Sequence, residues 1–197
     1  MRLIIATRNK GKLREIKHIL RGLDLSIVSL NQLKKPIRIK EDGHTFLENA
    51  LKKTLPVSEL YPKDLVAGED SGLEVESLHG APGILSKRYC GKGATDLKNN
   101  RKLLKELEGL ERKRRKACFC CVLTLAKAGK LLKAFEAKLK GVISKEIKGE
   151  AGFGYDPVFY LPSYKKTVAQ LSLSQKNKIS HRAKAFKKLH DYLANLV

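Results

Sequence analysis

Val66-Ala67-Gly68-Glu69-Asp70-Ser71-Gly72-Leu73 is the stretch on which the fold and the chemistry of this chain turn. Apolar residues 65–67 predict the end of a β-strand, and Gly72 predicts the turn that follows it. Glu69, Asp70 and Ser71 stand between the two. In an open α/β sheet, ligands bind beyond the carboxyl ends of the strands, where these three residues would fall. Side chains alternate along a strand, so Glu69 and Asp70 cannot face the same way. One carboxylate is free to meet a ligand while its neighbour turns inward or sideways. Oxygen donors in such a place suit Mg²⁺, which keeps several waters and takes one or two protein carboxylates beside substrate phosphates. A solvated acidic turn accounts for the same residues, and on local grounds both readings stand.

On the N-terminal side, apolar residues 3–6 give way to Thr7-Arg8-Asn9-Lys10-Gly11-Lys12, after which Leu13, Ile16, Ile19 and Leu20 fall at helical spacing. The pattern predicts strand, polar turn, helix, with backbone N–H groups and Lys12 at the helix N-terminus, a ready anion site. The Gly-x4-Gly-Lys-Ser/Thr spacing of a P-loop is missing, and a plain capped turn also fits. Residues 25–28 predict a second short strand. A polar stretch over 36–43 carries Glu41 and leads to Thr45, whose spacing to Glu48 is that of a capping box opening a helix with Phe46, Ala50 and Leu51. Lys52 and Lys53 lie on that helix; a charged pair there is ordinarily a wet face, which is the reading of Lys52.

On the C-terminal side, residues 73–76 alternate like a second strand, and 80–83 form a loop leading to a short helical piece near Tyr89. Thr95-Asp96 opens a helix with Leu97, Leu103, Leu104 and Leu107 on its apolar side. Residues 111–116 are a basic, solvated linker. The runs 117–126 and 131–139, flanking Ala128-Gly129-Lys130, predict a long hairpin, and 141–144 a further strand. The loop Gly152-Phe153-Gly154-Tyr155-Asp156-Pro157 has two readings. Its glycines let the backbone approach a planar ligand on which Phe153 or Tyr155 stacks, or the loop closes a hairpin with both rings in the core. Ser180 is placed to cap a basic C-terminal helix, which leaves His181 and Arg182 in a first turn whose dipole favours anions. That misfit points to a task for both.

At 197 residues the chain is one domain, or two closely joined lobes, with room for a substantial core. Its 41 Lys+Arg against 20 Asp+Glu give a net charge of +21, which attracts nucleic acid, anionic lipid or small polyanions such as nucleotides. Aromatic residues are few and are not spaced on adjacent strands as RNA-stacking sheets require, so no stable nucleic-acid partner is expected. Cys118 and Cys120 share a strand face and Cys121 points away; with Cys90 they lack metal-site spacing and read as small buried hydrophobes of a reducing cytoplasm. No leader segment and no membrane-length apolar window is present, so the expectation is a cytoplasmic protein with no membrane partner.

Taken together, Thr7-x-Asn9-x-x-Lys12, Glu69-Asp70-Ser71-Gly72-Leu73, Phe153-Gly154-Tyr155-Asp156-Pro157 and Ser180-His181-Arg182 resemble, in order and over the full length, the inosine/xanthosine triphosphate pyrophosphatases, the Ham1-like family that acts on non-standard purine nucleotides. The resemblance implies a mixed, twisted α/β sheet in two lobes with a deep nucleotide-binding cleft, usually as a homodimer. It implies Mg²⁺-dependent hydrolysis of ITP, dITP and XTP to the monophosphate and pyrophosphate. By matching position, Asp70 corresponds to the catalytic carboxylate and metal ligand, and Glu41 to a second metal-associated acid. Thr7, Asn9, Lys10 and Lys12 match the triphosphate-binding turn, and Lys53 a phosphate-binding lysine. Ser71, Phe153, Gly154, Tyr155, Asp156, Lys176, His181 and Arg182 match positions around sugar and base. Two departures stand out: Arg8 replaces a frequent glycine, and Glu69-Asp70 replaces a frequent Asp-Asp.

Overall fold

The computed structural model of the chain describes residues 1–34 and 37–195; Pro36, which opens the polar stretch over 36–43, lies outside the described residues. Its strands are β1 (Arg2–Ile5), β2 (Ser26–Ser29), β3 (Leu65–Val75), β4 (Pro82–Gly83), β5 (Lys116–Lys127), β6 (Lys130–Ile143), β7 (Phe159–Leu161) and β8 (Lys166–Thr167). Its α-helices are α1 (Lys10–Ile19), α2 (Phe46–Leu60), α3 (Asp96–Glu106), α4 (Leu173–Ile179) and α5 (His181–Ala194). The strands form an open mixed sheet in the order β2-β1-β3-β5-β6-β7-β8, with β4 on β3. β1 runs parallel to both β2 and β3, whereas β3–β4, β6–β7 and β7–β8 are antiparallel.

The chain divides into two compact units, and the first comprises Met1–Ser71, Cys121–Ala137 and Arg182–Val197. Its sheet is buried on both faces, which is why β1 reads as an unbroken apolar run rather than an alternation. Leu3, Ile5, Leu65 and Ala67 face a core with Ile16 of α1, Leu20 just after that helix, and Phe186 and Leu189 of α5. Ile4, Ala6 and Val66 face the other way, against Val57 of α2. Full burial of Leu3, Ile4 and Ile5 contributes about 2 kcal/mol each. The second unit, Gly72–Cys120 with Lys138–His181, has its own core around Leu73, Leu103, Phe119, Tyr155, Phe159 and Leu161. Thr45 and Thr95 cap their helices where the sequence puts them, accepting from Glu48 N and Lys98 N, and Asn9 caps α1 by accepting from Lys12 N.

Three expectations need correction. Gly72 is not a turn, and residues 73–76 are not a second strand: β3 runs unbroken from Leu65 to Val75. Its pairing with β1 ends at Ile5–Ala67, but β4 takes up the ladder at Leu73 and Glu74, so the backbone stays extended. Glu69–Ser71 therefore lie beyond the carboxyl end of β1 while remaining inside β3. Likewise β6 continues to Ile143 instead of giving way to a new strand, and α4 is a helix that the sequence pattern did not suggest. The long hairpin is present, its turn made by Ala128 and Gly129, both at positive φ (49° and 75°), as a two-residue primed turn requires.

α2 lies close against β3 at Gly68. A Cβ on Gly68 would meet Thr54 Oγ1 at 2.2 Å and the Ala50 carbonyl at 3.3 Å. Thr54 Oγ1 has no room to retreat: it donates to the Ala50 carbonyl and lies 2.6 Å from Thr124 Oγ1. Gly68→Ala is expected to destabilise the chain by about 1–3 kcal/mol through overpacking. A fall in the denaturant midpoint at unchanged slope checks this; an unchanged midpoint refutes it.

Candidate active site

The alternation of β3 sends the two adjacent carboxylates to opposite faces of the first unit. Glu69 follows Leu65 and Ala67 toward α1 and α5, whereas Asp70 follows Val66 and Gly68 toward α2. Each finds cations there. Glu69, only 3% exposed, takes the Lys12 ammonium (3.0 Å) and the Arg182 Nε (2.9 Å) on Oε1 and the Cys121 thiol (3.1 Å) on Oε2. Burial alone would raise its carboxyl pKa, but Arg182 and then Lys12 outweigh it and hold the group well below the usual carboxylate range. Arg182 also donates from Nη1 to Glu15 (2.7 Å) and from Nη2 to Ser71 Oγ (3.1 Å), and Lys12 donates to the same Ser71 oxygen (3.1 Å).

Lys12 reaches this cluster from the turn between β1 and α1. Asn9 Oδ1 accepts from Lys12 N and Thr7 Oγ1 accepts from Asn9 N, so Thr7 and Asn9 shape the helix start. Lys10 opens α1 and is exposed. Arg8 turns away to donate from its guanidinium to the Ile37 carbonyl, which fastens the turn to the segment that leads to Glu41.

On the other face Lys53 of α2, which is buried, joins Asp70 to Glu41. Its ammonium lies 2.7 Å from Asp70 Oδ1, 2.8 Å from Glu41 Oε2 and 3.1 Å from the Glu69 carbonyl. Burial works to neutralise Lys53, yet Asp70 and Glu41 outweigh it and leave its pKa above the usual value. For Asp70 the balance is reversed: burial pushes its carboxyl up by more than Lys53 pulls it down. A carboxylate raised in this way is a better proton acceptor than an ordinary aspartate. Asn49 supports the arrangement, donating from Nδ2 to Asp70 Oδ2 (3.3 Å) and accepting from Gly43 N (2.9 Å) on Oδ1.

Two carboxylates thus converge on one cationic centre, at present an ammonium. The donors are hard oxygens, in the number that Mg²⁺ takes from a protein when substrate phosphates supply the rest, so Glu41 and Asp70 fit that ion. Among the described residues no group of three or more His, Cys, Asp or Glu stands as a complete metal cage.

The remaining candidates lie in the second unit. Asp156 Oδ2 accepts from the Phe153 amide (3.0 Å) and pairs with Lys176 (2.6 Å), both side chains being nearly buried. The Lys176 ammonium also stands 4.6 Å over the half-buried Phe153 ring. The two readings of this loop divide between its rings: Phe153 keeps a partly open face, while Tyr155 is core, its hydroxyl donating to the Ser86 carbonyl (2.8 Å). The Gly154 carbonyl accepts from Asn100 Nδ2 and its amide donates to Asp96. His181 is buried and stacks on Phe119 at 4.8 Å.

Glu15, Asn49 and Cys121 escaped the reading of the sequence. Glu15 precedes the buried Ile16 on α1 and Asn49 precedes Ala50 on α2, and a polar residue beside an apolar stripe is a faint signal. For Cys121 only strand alternation gave a hint, by setting it apart from Cys118 and Cys120.

Comparison with known proteins adds independent information. Residues 3–192 match the model of the Ham1 family. The dITP/XTP pyrophosphatase of Desulforamulus reducens is 44% identical over 196 residues, covering 100% of this chain and 97% of that one. The Ham1 protein of Staphylococcus aureus superposes with a TM-score of 0.89 at 38% identity over 100% of both chains. A HAM1 protein from Coxiella burnetii does so with 0.89 at 36% over 99% of both.

Arg182 neutralises two buried carboxylates, so replacing it by an apolar residue leaves Glu15 and Glu69 short of a cation. Arg182→Met is expected to cost about 3–5 kcal/mol in chemical denaturation, as for a broken buried ion pair. A loss below 1 kcal/mol, the worth of a surface pair, would contradict this account.

Proposed function

The chain belongs to the Ham1 family, and we propose that it hydrolyses dITP, ITP and XTP to the monophosphate and pyrophosphate with Mg²⁺, using the strand-end cluster around Asp70. The observation that carries the assignment of residues is the convergence of Glu41, Asp70 and Lys53 on one face of β3 and of Lys12 and Ser71 on the other, with Lys12 near enough for its charge to act on Asp70. Cleavage between the α- and β-phosphates needs charge neutralisation and in-line positioning more than covalent chemistry, and these groups supply both.

Water forms the new bond to the α-phosphorus while the bond to the bridging oxygen breaks and pyrophosphate departs. Asp70 orients that water and takes its proton. Glu69 is less suited to the role, because Arg182 and Lys12 hold its carboxyl well below the usual carboxylate range whereas burial raises that of Asp70. Lys12 and Lys53 balance charge on the departing pyrophosphate, and the Thr7–Lys12 turn offers backbone N–H groups to the phosphates. Mg²⁺, held by Glu41 and Asp70, supplies polarisation of the phosphate oxygens when bound.

For the base, hypoxanthine and xanthine present a 6-oxo acceptor where adenine presents a 6-amino donor. Lys176, with three donors and no acceptor, rewards the former and leaves the latter unpaired, with Phe153 as the stacking surface. Hydrogen-bond mismatch of this kind discriminates by ~10⁴-fold in favourable cases. Arg182, matched by resemblance to the base side, donates to Glu15, Glu69 and Ser71, so its share is to brace the phosphate side. His181 is matched to the base side by resemblance alone, its ring being buried against Phe119. Family resemblance supports a cytoplasmic homodimer, and sedimentation velocity checks the dimer. Among the described residues no helix is long and apolar enough to cross a membrane.

The deciding experiment is pyrophosphate release from dITP, XTP and dATP, with Mg²⁺ and with excess chelator. Release from dITP and XTP, little from dATP and none without the ion is expected; equal rates on dATP would remove the proposed specificity. Asp70→Asn is expected to lower kcat by about 10²–10⁴-fold while dITP binding, read by calorimetry, persists. Asn49→Ala, which frees Asp70 on one side, should lower kcat/KM by about 10–100-fold. Full activity in either variant would reject the role given to that residue.

A further inference from the structure

We propose that Cys121 is a positioning residue for Lys12, acting through Glu69; the proposal rests on the reading of Lys12 as a ligand of the phosphate tail. Lys12 sits at the end of a flexible four-carbon stem, so what fixes its ammonium is what the ammonium touches. Those contacts are Ser71 Oγ at 3.1 Å and Glu69 Oε1 at 3.0 Å. Ser71 Oγ is shared with Arg182, and so is Glu69 Oε1. The position of Lys12 therefore follows the orientation of the Glu69 carboxylate.

That orientation is set from both ends of the carboxylate. Cations hold Oε1, and the Cys121 thiol, 3.1 Å away and fully buried, donates to Oε2. Without that donor, a buried carboxylate oxygen would have no partner, and rotation of the group to find one would carry Oε1 off Lys12. The thiol suits the task because it stays a donor: burial, and then the charge of Glu69, push its pKa well above the usual value. It comes from β5, a strand otherwise without a part in the phosphate side, and its neighbours Cys118 and Cys120 face the other way, toward Glu74.

The test compares Cys121→Ala, Cys121→Ser, Lys12→Ala and the Cys121→Ala/Lys12→Ala double variant, with Cys90→Ser as an exposed control. Each is read by kcat and KM on dITP, by calorimetric binding of inorganic tripolyphosphate, and by Tm. Cys121→Ala should raise KM and weaken tripolyphosphate binding by about 3–10-fold, the worth of one hydrogen bond, with little change in kcat. Cys121→Ser, which keeps a donor, should recover most of the loss. In the Lys12→Ala background the Cys121→Ala change should add nothing to KM, because its effect passes through the missing lysine. An additive effect, an equal loss in Cys121→Ser, or a lower Tm with unchanged KM would overturn the proposal. If Lys12→Ala itself binds tripolyphosphate like the wild type, the phosphate reading of Lys12 falls instead, and this proposal with it.

Discussion

Two neighbouring carboxylates on a strand covered on both faces cannot remain charged unless cations come to each of them separately. That requirement organises the first unit. Glu69 is met by α1 and α5, Asp70 by α2, and the arrangement follows from the two-residue period of β3 more than from any special loop. The unit can be read as a strand with a charged end and three helices, each of which brings at least one polar group to that end. Lys12 and Glu15 arrive one turn apart on α1, Asn49 and Lys53 one turn apart on α2, and Arg182 at the start of α5. Such spacing lets a helix bury an apolar stripe and still present two polar side chains at one of its ends.

The second unit solves a different problem, that of keeping a polar loop ordered. Asp156 does this by accepting from the Phe153 amide and the Lys176 ammonium together, while Tyr155 plugs into the core beneath. Gly152 permits the turn: a Cβ there would sit 2.1 Å from Asp156 Oδ2, and its φ of +82° favours glycine. The glycine-aromatic-glycine-aromatic pattern is thus a device in which one ring is spent on anchorage and the other left at the rim.

Much of this was legible in the sequence because it depends on period and capping. The helix starts at Thr45 and Thr95, the hairpin about 128–129, and the opposite facing of Glu69 and Asp70 all follow from local rules. What escaped depends on neighbours. Gly72 looks like a turn in a string of letters, but the antiparallel partner at residues 82–83 keeps its strand extended. Lys52 stays outside with Asp42 as a wet face should, but that its neighbour Lys53 is a buried counter-ion shows only through the close approach of α2 at Gly68. Cys121 shows its partner only once β5 is laid beside β3. The family motifs supplied residue roles that no spacing rule would have reached.

The ammonium of Lys53 between Glu41 and Asp70 has a thermodynamic corollary. A pocket of carboxylates with its own tethered counter-ion does not need a divalent ion to hold it together, so folding is uncoupled from metal supply. Removing that tethered charge would leave Glu41 and Asp70 facing each other with no cation between them, so the lysine is itself a part of what keeps the pocket closed.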